Sequence, residues 1–396
     1  MTALPLVELG ALGFEQGAHL LLERALAAVP VGGAVVVRGT DPALPVHLRV
    51  WCRRAGHAFD DTVPGQWRVR RGRAAVDRWA GAQRAGAVDA SVVVARPAPE
   101  WGLAARGALV EAGGPPLPAD FVERDVVWAD LAPRLYAHAA AAQWDPATAV
   151  DWGARADLPA EIERAVVQVM TYLVENEQAA LVVPARLLAR VHPHFREVLQ
   201  LLAVQAADEA RHVEVFTRRA LLTGGPMGTS SVGGRASLLT LVAEPDFSLA
   251  SFLLSVLGEG SFLHLLTFLD EHAPDPVTRQ VVRLAHQDEA RHVAFGVAHL
   301  AHHAERDPAL RARLRAAVER RHDALADTAG LNADVFDALV VLAAGEWTAP
   351  ALARGHAAVQ RLQQAMDDGR RRRLAHLGFP DDEAAEISAL HTRNFM

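Results

Sequence analysis

The pentapeptide Asp-Glu-Ala-Arg-His occurs twice in this chain, at 208–212 and at 288–292, and nothing else in the sequence constrains the fold as much. Two copies so far apart do not make a solenoid; they read as two halves of one site. In a helix, residues three apart share a face, so Glu209 points with His212 and Glu289 with His292. A carboxylate and an imidazole at that spacing grip one first-row metal ion. Two such pairs, completed by one Glu from each of two further helices, make a carboxylate-bridged two-metal site in a four-helix bundle.

That design needs a helix with a buried Glu ahead of each copy. Glu259 lies in "SFLLSVLGEGSFLHLLTFL", with Val256, Phe262 and Leu263 on its face. A carboxylate buried there without a partner is costly, by several kcal/mol. The first half offers two candidates in "TYLVENEQAAL". Glu177 has Leu173, Val174, Ala180 and Leu181 around it, on the apolar stripe, whereas Glu175 sits on a more polar face and is the alternative. The expected ligands are therefore Glu177, Glu209, His212, Glu259, Glu289 and His292. Four carboxylates and two imidazoles suit iron or manganese and disfavour a closed structural zinc site. The one cysteine, Cys52, excludes a disulfide framework or a cysteine-based metal site.

Neighbouring residues suggest supporting roles. Asp208 and Asp288 are placed to hold a ligand histidine through its second ring nitrogen, and Arg211 and Arg291 to pair with them along the helix. Ala180, Ser255 and Phe262 are candidates to line a substrate pocket, with plain core packing the competing role. Tyr172, one of two tyrosines, reads better as a packed aromatic than as an electron-transfer group. His286 stands on the face of Glu289, as a seventh ligand or a solvent-facing histidine. The histidines of "HLAHHAE" and "RRHDA" are expected on helix surfaces.

Along the chain, residues 1–73 read as a small α/β domain: strands "LVEL" and "AVVVRG", two helices, and "QWRVRRG" alternating as an edge strand does. Residues 74–120 are rich in Gly, Ala and Pro and read as a linker with one strand, "SVVVA". Residues 121–396 are almost wholly helical, with patterns over 125–142, 159–190, 193–222, 237–271, 275–305, 308–328 and 333–375. The Gly-rich stretch 223–234 falls between the two halves, where a crossover between helix pairs belongs. The net charge of −7 argues against a dedicated nucleic-acid surface. The amino terminus lacks a basic, apolar leader and no uncharged apolar run has the length of a membrane span, so a cytoplasmic protein is expected.

The pattern Glu177, Glu209-x-x-His212, Glu259, Glu289-x-x-His292 resembles the ferritin-like diiron carboxylate superfamily, over residues 125–305. Within it, "QWDPATAVDWG" at 143–153 looks like oxygenase-type members. The resemblance implies a mainly α, ferritin-like four-helix bundle holding two Fe ions, Fe/Fe or else Mn/Fe, with O2 as co-substrate. It implies a non-haem oxygenase or oxidase acting on an organic small molecule by hydroxylation, N-oxygenation or desaturation, supplied by an external electron donor and built as a homodimer. Arylamine N-oxygenases of that group carry an extra histidine four residues before the second motif; here that position is Ala285. The competing functions are a ferroxidase or storage protein and a tRNA-modifying hydroxylase, the latter drawing on the basic run "GRRRRLAHLGF" at 369–379. Residues 5–73 resemble the TusA-type sulfur-carrier fold, but the stretch that would bear its cysteine reads "GALGFEQGAHLLL". A docking or dimerisation module is therefore expected, with Cys52 structural.

Overall fold

The computed structural model describes residues 4–63, 66–74, 78–154, 157–325 and 333–395. The end of the helix expected over 308–328 lies outside them. The chain forms two compact units, one of residues 1–85 with 107–115, the other of 86–106 with 116–396. The stretch read as a linker therefore contributes to both.

In the first unit β1 (Leu6–Glu8), α1 (Ala18–Ala27), β2 (Ala34–Arg38), α2 (Leu44–Ala55), β3 (Ala58–Val63) and β4 (Gln66–Arg70) make a four-stranded sheet of order β1-β2-β4-β3. β1 is parallel to β2 and the other pairs are antiparallel. The alternate residues Val35 and Val37, with Val69, turn to one face and pack against Leu22, Leu26, Leu44, Leu48 and Cys52 of the helices. β4, expected at an edge, lies between β2 and β3, because β3 turns straight back beside it. A short ribbon of β5 (Gln83–Arg84) and β6 (Leu109–Val110) completes this unit.

The second unit is helical. "SVVVA" forms only a 3-10 turn at Ala90–Val92, capped by the Asp89 side chain on the Ser91 amide. After α3 (Arg124–Val127) and α4 (Ala132–Ala141) come four long helices that pack as two pairs: α5 (Ala160–Leu188), α6 (Arg196–Ala220), α8 (Phe247–Glu271) and α9 (Pro276–Arg306), with α7 (Val232–Val242) in the connection between the pairs. The outer helices are α10 (Leu310–Leu325), α11 (Ala333–Ala344), α12 (Ala349–His376) and α13 (Asp381–Phe395). Three spans expected as single helices are broken, the first being 125–142, where extended backbone at Trp128 parts α3 from α4. Asp246 caps Leu249 and starts α8 afresh, separating it from α7. Gly345, at φ 70°, ends α11, and Thr348 caps the new α12, so the chain bends by 116° there.

Two apolar cores fill the unit, and the long helices visit them in opposite orders. α5 runs from the core of Val169 and Leu173 to that of Val183 and Leu187; α6 runs from Leu201 to Phe216 in the reverse sense. α8 passes from Phe252 to Leu265, α9 from Val281 to Leu300. Thus α5 and α9 run one way and α6 and α8 the other. This is the arrangement that a crossover between two antiparallel pairs produces. In each helix the change of core falls at Glu177, at Glu209 and His212, at Glu259, and at Glu289 and His292 respectively: one polar layer between two greasy ones.

α8 departs from α-helical winding. Its residues Phe252–Glu259 form a π-helix, flanked by α-helical Phe247–Ser251 and Gly260–Glu271. Wider turns leave carbonyls less completely served, and the Arg373 guanidinium donates to the Val256 carbonyl at 2.7 Å. Half the basic run at 370–373 is thereby turned inward: Arg370 is buried and bonded to Ser261 and Ser388, while Arg371 and Arg372 are exposed. α8 has the length and apolarity of a membrane span, yet 78% of its apolar window is buried in the unit, which makes it a core helix.

Candidate metal centre

The six expected ligands meet in the polar layer, all buried. Donor atoms of Glu177, Glu209, His212 and Glu289 lie within 4.8 Å of one another, and so do those of Glu209, Glu259, Glu289 and His292. Glu209 and Glu289 belong to both groups. The geometry therefore defines two adjoining positions: one with Glu177 and His212, the other with Glu259 and His292, bridged by the two motif glutamates. Nδ1 of His212 is 3.0 Å from Glu209 and 3.4 Å from Glu289; Nδ1 of His292 is 3.0 Å from Glu209 and 3.5 Å from Glu289. Glu175 is only half-buried and outside both groups. His286 is also outside, its ring 3.4 Å from the Thr267 hydroxyl, because α9 turns it toward α8's flank rather than the interior.

The donor set fits a pair of cations. Buried oxygens of Glu177, Glu209 and Glu259, both oxygens of Glu289, and Nδ1 of His292 have no hydrogen-bond partner. Leaving that many polar atoms unserved costs several kcal/mol apiece unless charge-dense ions take their place. Without ions the layer stores protons instead. Burial, then the charges of Glu209 and Glu289, hold the Glu177 carboxyl well above the usual range; burial, then Glu289, does so for Glu259. Burial opposes charge on His212, but the surrounding carboxylates of Asp288, Glu177, Glu209 and Glu289 outweigh it and lift its pKa well above normal. His292 is lifted likewise, against burial, by Glu209 and Glu289.

Each histidine is held from behind, and the partners cross over. His212 Nε2 donates to Asp288 at 3.2 Å, and His292 Nε2 donates to Asp208 at 3.1 Å. Each repeat thus supplies the aspartate for the other repeat's histidine. A proton on Nε2 leaves the Nδ1 lone pair facing the site. Arg211 and Arg291 each pair with the aspartate on their own helix, and each also reaches across, Arg211 to Asp288 at 3.1 Å and Arg291 to Asp208 at 3.5 Å. The four residues form a closed square of alternating charge behind the imidazoles.

Several contributors were not legible. Gln143 donates to Asp208 at 3.0 Å and the Trp144 indole donates to Asp288 at 2.8 Å, which gives "QWDPATAVDWG" its purpose. Gln205 donates to Glu259 at 3.0 Å; it lies one turn before Glu209, and that spacing was the only available signal. His299, expected on a surface, is fully buried between Phe247 and Phe295, where burial pushes its pKa down to about 3. His303 of the same run is buried beside the Ser248 hydroxyl at 2.8 Å.

A cavity opens onto one side of the polar layer. Glu177, Glu259 and Glu289 form part of its wall, whereas Glu209 and both histidines do not. The rest is largely apolar, with Leu238, Leu241, Leu253 and Leu254. Ala180 and Phe262 line it as expected, but Ser255 instead packs on Gly296. Tyr172 is a buried wall residue, 6.1 Å from the Phe262 ring.

No protein-family profile matches this chain. No curated protein matches it either. Among solved structures it is similar to R2-like ligand-binding oxidases. A variant with an anaerobically reconstituted Mn/Fe cofactor is 19% identical, over 62% of this chain and 92% of that one, with a TM-score of 0.48. The protein with an aerobically reconstituted metal cofactor after photoconversion is 18% identical, over 67% and 93%, with a TM-score of 0.42. What the geometry itself establishes is a buried Glu/His cluster suited to two metal ions.

Proposed function

We propose that the chain is an O2-dependent dimetal oxidase or oxygenase of the ferritin-like type, acting on an organic small molecule held in the cavity beside Glu177, Glu259 and Glu289. The observation that carries this reading is the opening of a largely apolar cavity onto the unpartnered carboxylates of a six-ligand site. When bound, a pair of iron ions, or manganese with iron, supplies the electrons that activate O2 for oxidation of the substrate. The protein's share is positioning and exclusion of water. Asp208 and Asp288 keep the proton on each Nε2, so both imidazoles present Nδ1. The leucines and Phe262 keep the wall dry, which strengthens the electrostatics around Glu177 and Glu259. A site dedicated to storing iron has no use for such a wall.

The smaller unit fits a docking or dimerisation module. It resembles a sulfur carrier in order of elements, but α1 bears no cysteine, and burial pushes the Cys52 thiol up to about 12, away from thiolate chemistry. An external reductant, a homodimer and a cytoplasmic setting complete the proposal. The test is anaerobic loading with iron(II), a metal count, and oxygen uptake. Two ions per chain are expected, with uptake that stops once the site has reacted even when iron is in large excess, and resumes when reductant is added. Continued uptake with growth of a ferric mineral overturns the reading.

A further inference from the structure

The cavity wall carries one half-buried cation that nothing in the chemistry above uses. Arg321, on α10, lines the same cavity as Glu177, Glu259 and Glu289. Its Nε donates to the Thr240 hydroxyl at 3.0 Å and its Nη2 to the Ser237 hydroxyl at 2.7 Å. Both partners are neutral, and among the described residues no carboxylate pairs with Arg321. Arg106, Arg219 and Arg291 differ, each paired with a carboxylate: Arg106 has Glu197, Arg219 has Glu163 and Asp275, and Arg291 has Asp288. Burial of an unpaired guanidinium is unfavourable, and it pulls the Arg321 pKa down to about 10. The surroundings add positive potential. His391, also on the wall, is kept neutral by burial and then by the fields of Arg370, Arg321 and Arg373. Glu175 also lines the cavity and is not paired with Arg321. Thr240 and Ser237 occupy the Nε–Nη2 edge, which fixes the plane of the guanidinium and leaves its Nη1 end for a ligand.

We propose that Arg321 is the specificity residue of the cavity, seating the carboxylate of an amphipathic organic acid whose apolar body lies along Leu238, Leu241, Leu253, Leu254 and Phe262, toward the metal ligands. The inference rests on the oxidase reading for its chemistry but not for its recognition step. A guanidinium fork with a fixed plane matches a carboxylate in shape and charge. A charged hydrogen-bonded pair in a dry wall discriminates against a neutral isostere by about 1.5–3 kcal/mol, or roughly tenfold to a hundredfold in affinity.

The test uses the full chain, metal-free and metal-loaded, titrated by calorimetry with 4-phenylbutanoate and with its neutral isostere 4-phenylbutanamide. The acid is expected to bind about tenfold tighter or better in both metal states. Arg321→Gln abolishes the preference without lowering metal content, and Arg321→Lys retains part of it. Should Arg321→Gln lose its fold by melting temperature, Ser237→Ala, which keeps Arg321 but frees the plane of its guanidinium, serves the same comparison: selectivity falls while the charge remains. Equal affinity for acid and amide, no binding of either, or a preference that survives Arg321→Gln overturns the proposal. So does a preference present only in loaded protein, since the carboxylate then sits on the metals. Metal content and oxygen uptake on the same samples separate the two readings. A chain that loads and consumes oxygen but ignores the acid's charge refutes the anchor alone; one that prefers the acid but takes up no metal refutes the oxidase alone.

Discussion

Replacing Asp208 with Asn tests the crossed support of the histidines. Asp208 stands on the helix of His212, yet it accepts the Nε2 proton of His292 at 3.1 Å. The asparagine keeps the shape and loses the charge, so the imidazole of His292 is no longer fixed in the tautomer that offers Nδ1. Loss of such a supporting carboxylate weakens metal affinity by about 10–100-fold, or roughly 1.4–2.7 kcal/mol. The surroundings are not expected to collapse, because Arg211 and Arg291 both retain Asp288. The loss therefore falls on one ion, the one beside Glu259 and His292, while the position of Glu177 and His212 keeps its affinity. Equilibrium titration of metal-free protein with manganese(II), followed by electron paramagnetic resonance, resolves two steps of unequal affinity in the variant. Anomalous diffraction at limiting metal then shows which position is filled. Asp288→Asn gives the mirror result and also frees the Trp144 indole. If Asp208→Asn empties the His212 position instead, or weakens both equally, the crossed geometry is wrong.

Three other outcomes follow from the same contacts. Glu209→Ala and Glu289→Ala each remove a bridge common to both positions, so metal analysis should find both ions lost rather than one. In the metal-free site His212 and His292 have pKa values above normal, so both hold protons at neutral pH; loading must displace them, and affinity rises with pH through that range. Calorimetry in buffers of different ionisation enthalpy should register proton release, and a pH-independent affinity refutes the charge assignment. Arg219→Met strands the buried Asp275 and the nearly buried Glu163, which costs about 3–5 kcal/mol and lowers the melting temperature by roughly 6–20 °C, read by calorimetric scanning.

The members of the buried Glu/His cluster were legible because their information is local. An i, i+3 pair declares a shared face whatever the helix packs against, and the apolar neighbours of Glu177 separated it from Glu175 without any tertiary knowledge. That Asp208 and Asp288 back the histidines was legible too, but the crossing was not, since it depends on how α6 and α9 are rotated against each other. The same holds for Arg321, Ser237 and the other residues that converge from α7 and α10 on a cavity no single helix defines. His299 was misjudged because "HLAHHAE" looks polar as a string, while its first residue falls on the stripe shared with Phe295. The breaks before α8 and α12 did have signals, Asp246 and Thr348 as caps, which the strong apolar periodicity around them masked.

The π-wound segment of α8 has a consequence for the symmetry of the molecule. Duplicated motifs alone would give two equivalent metal positions and two equivalent bridges. Only the second half winds wide before its glutamate, and Gly296 lets α9 approach there so closely that an added Cβ would sit 2.4 Å from that of Ser255. The cavity reaches Glu289 and not Glu209. One motif glutamate is therefore walled in and the other faces the cavity, and a duplicated framework has acquired a front and a back.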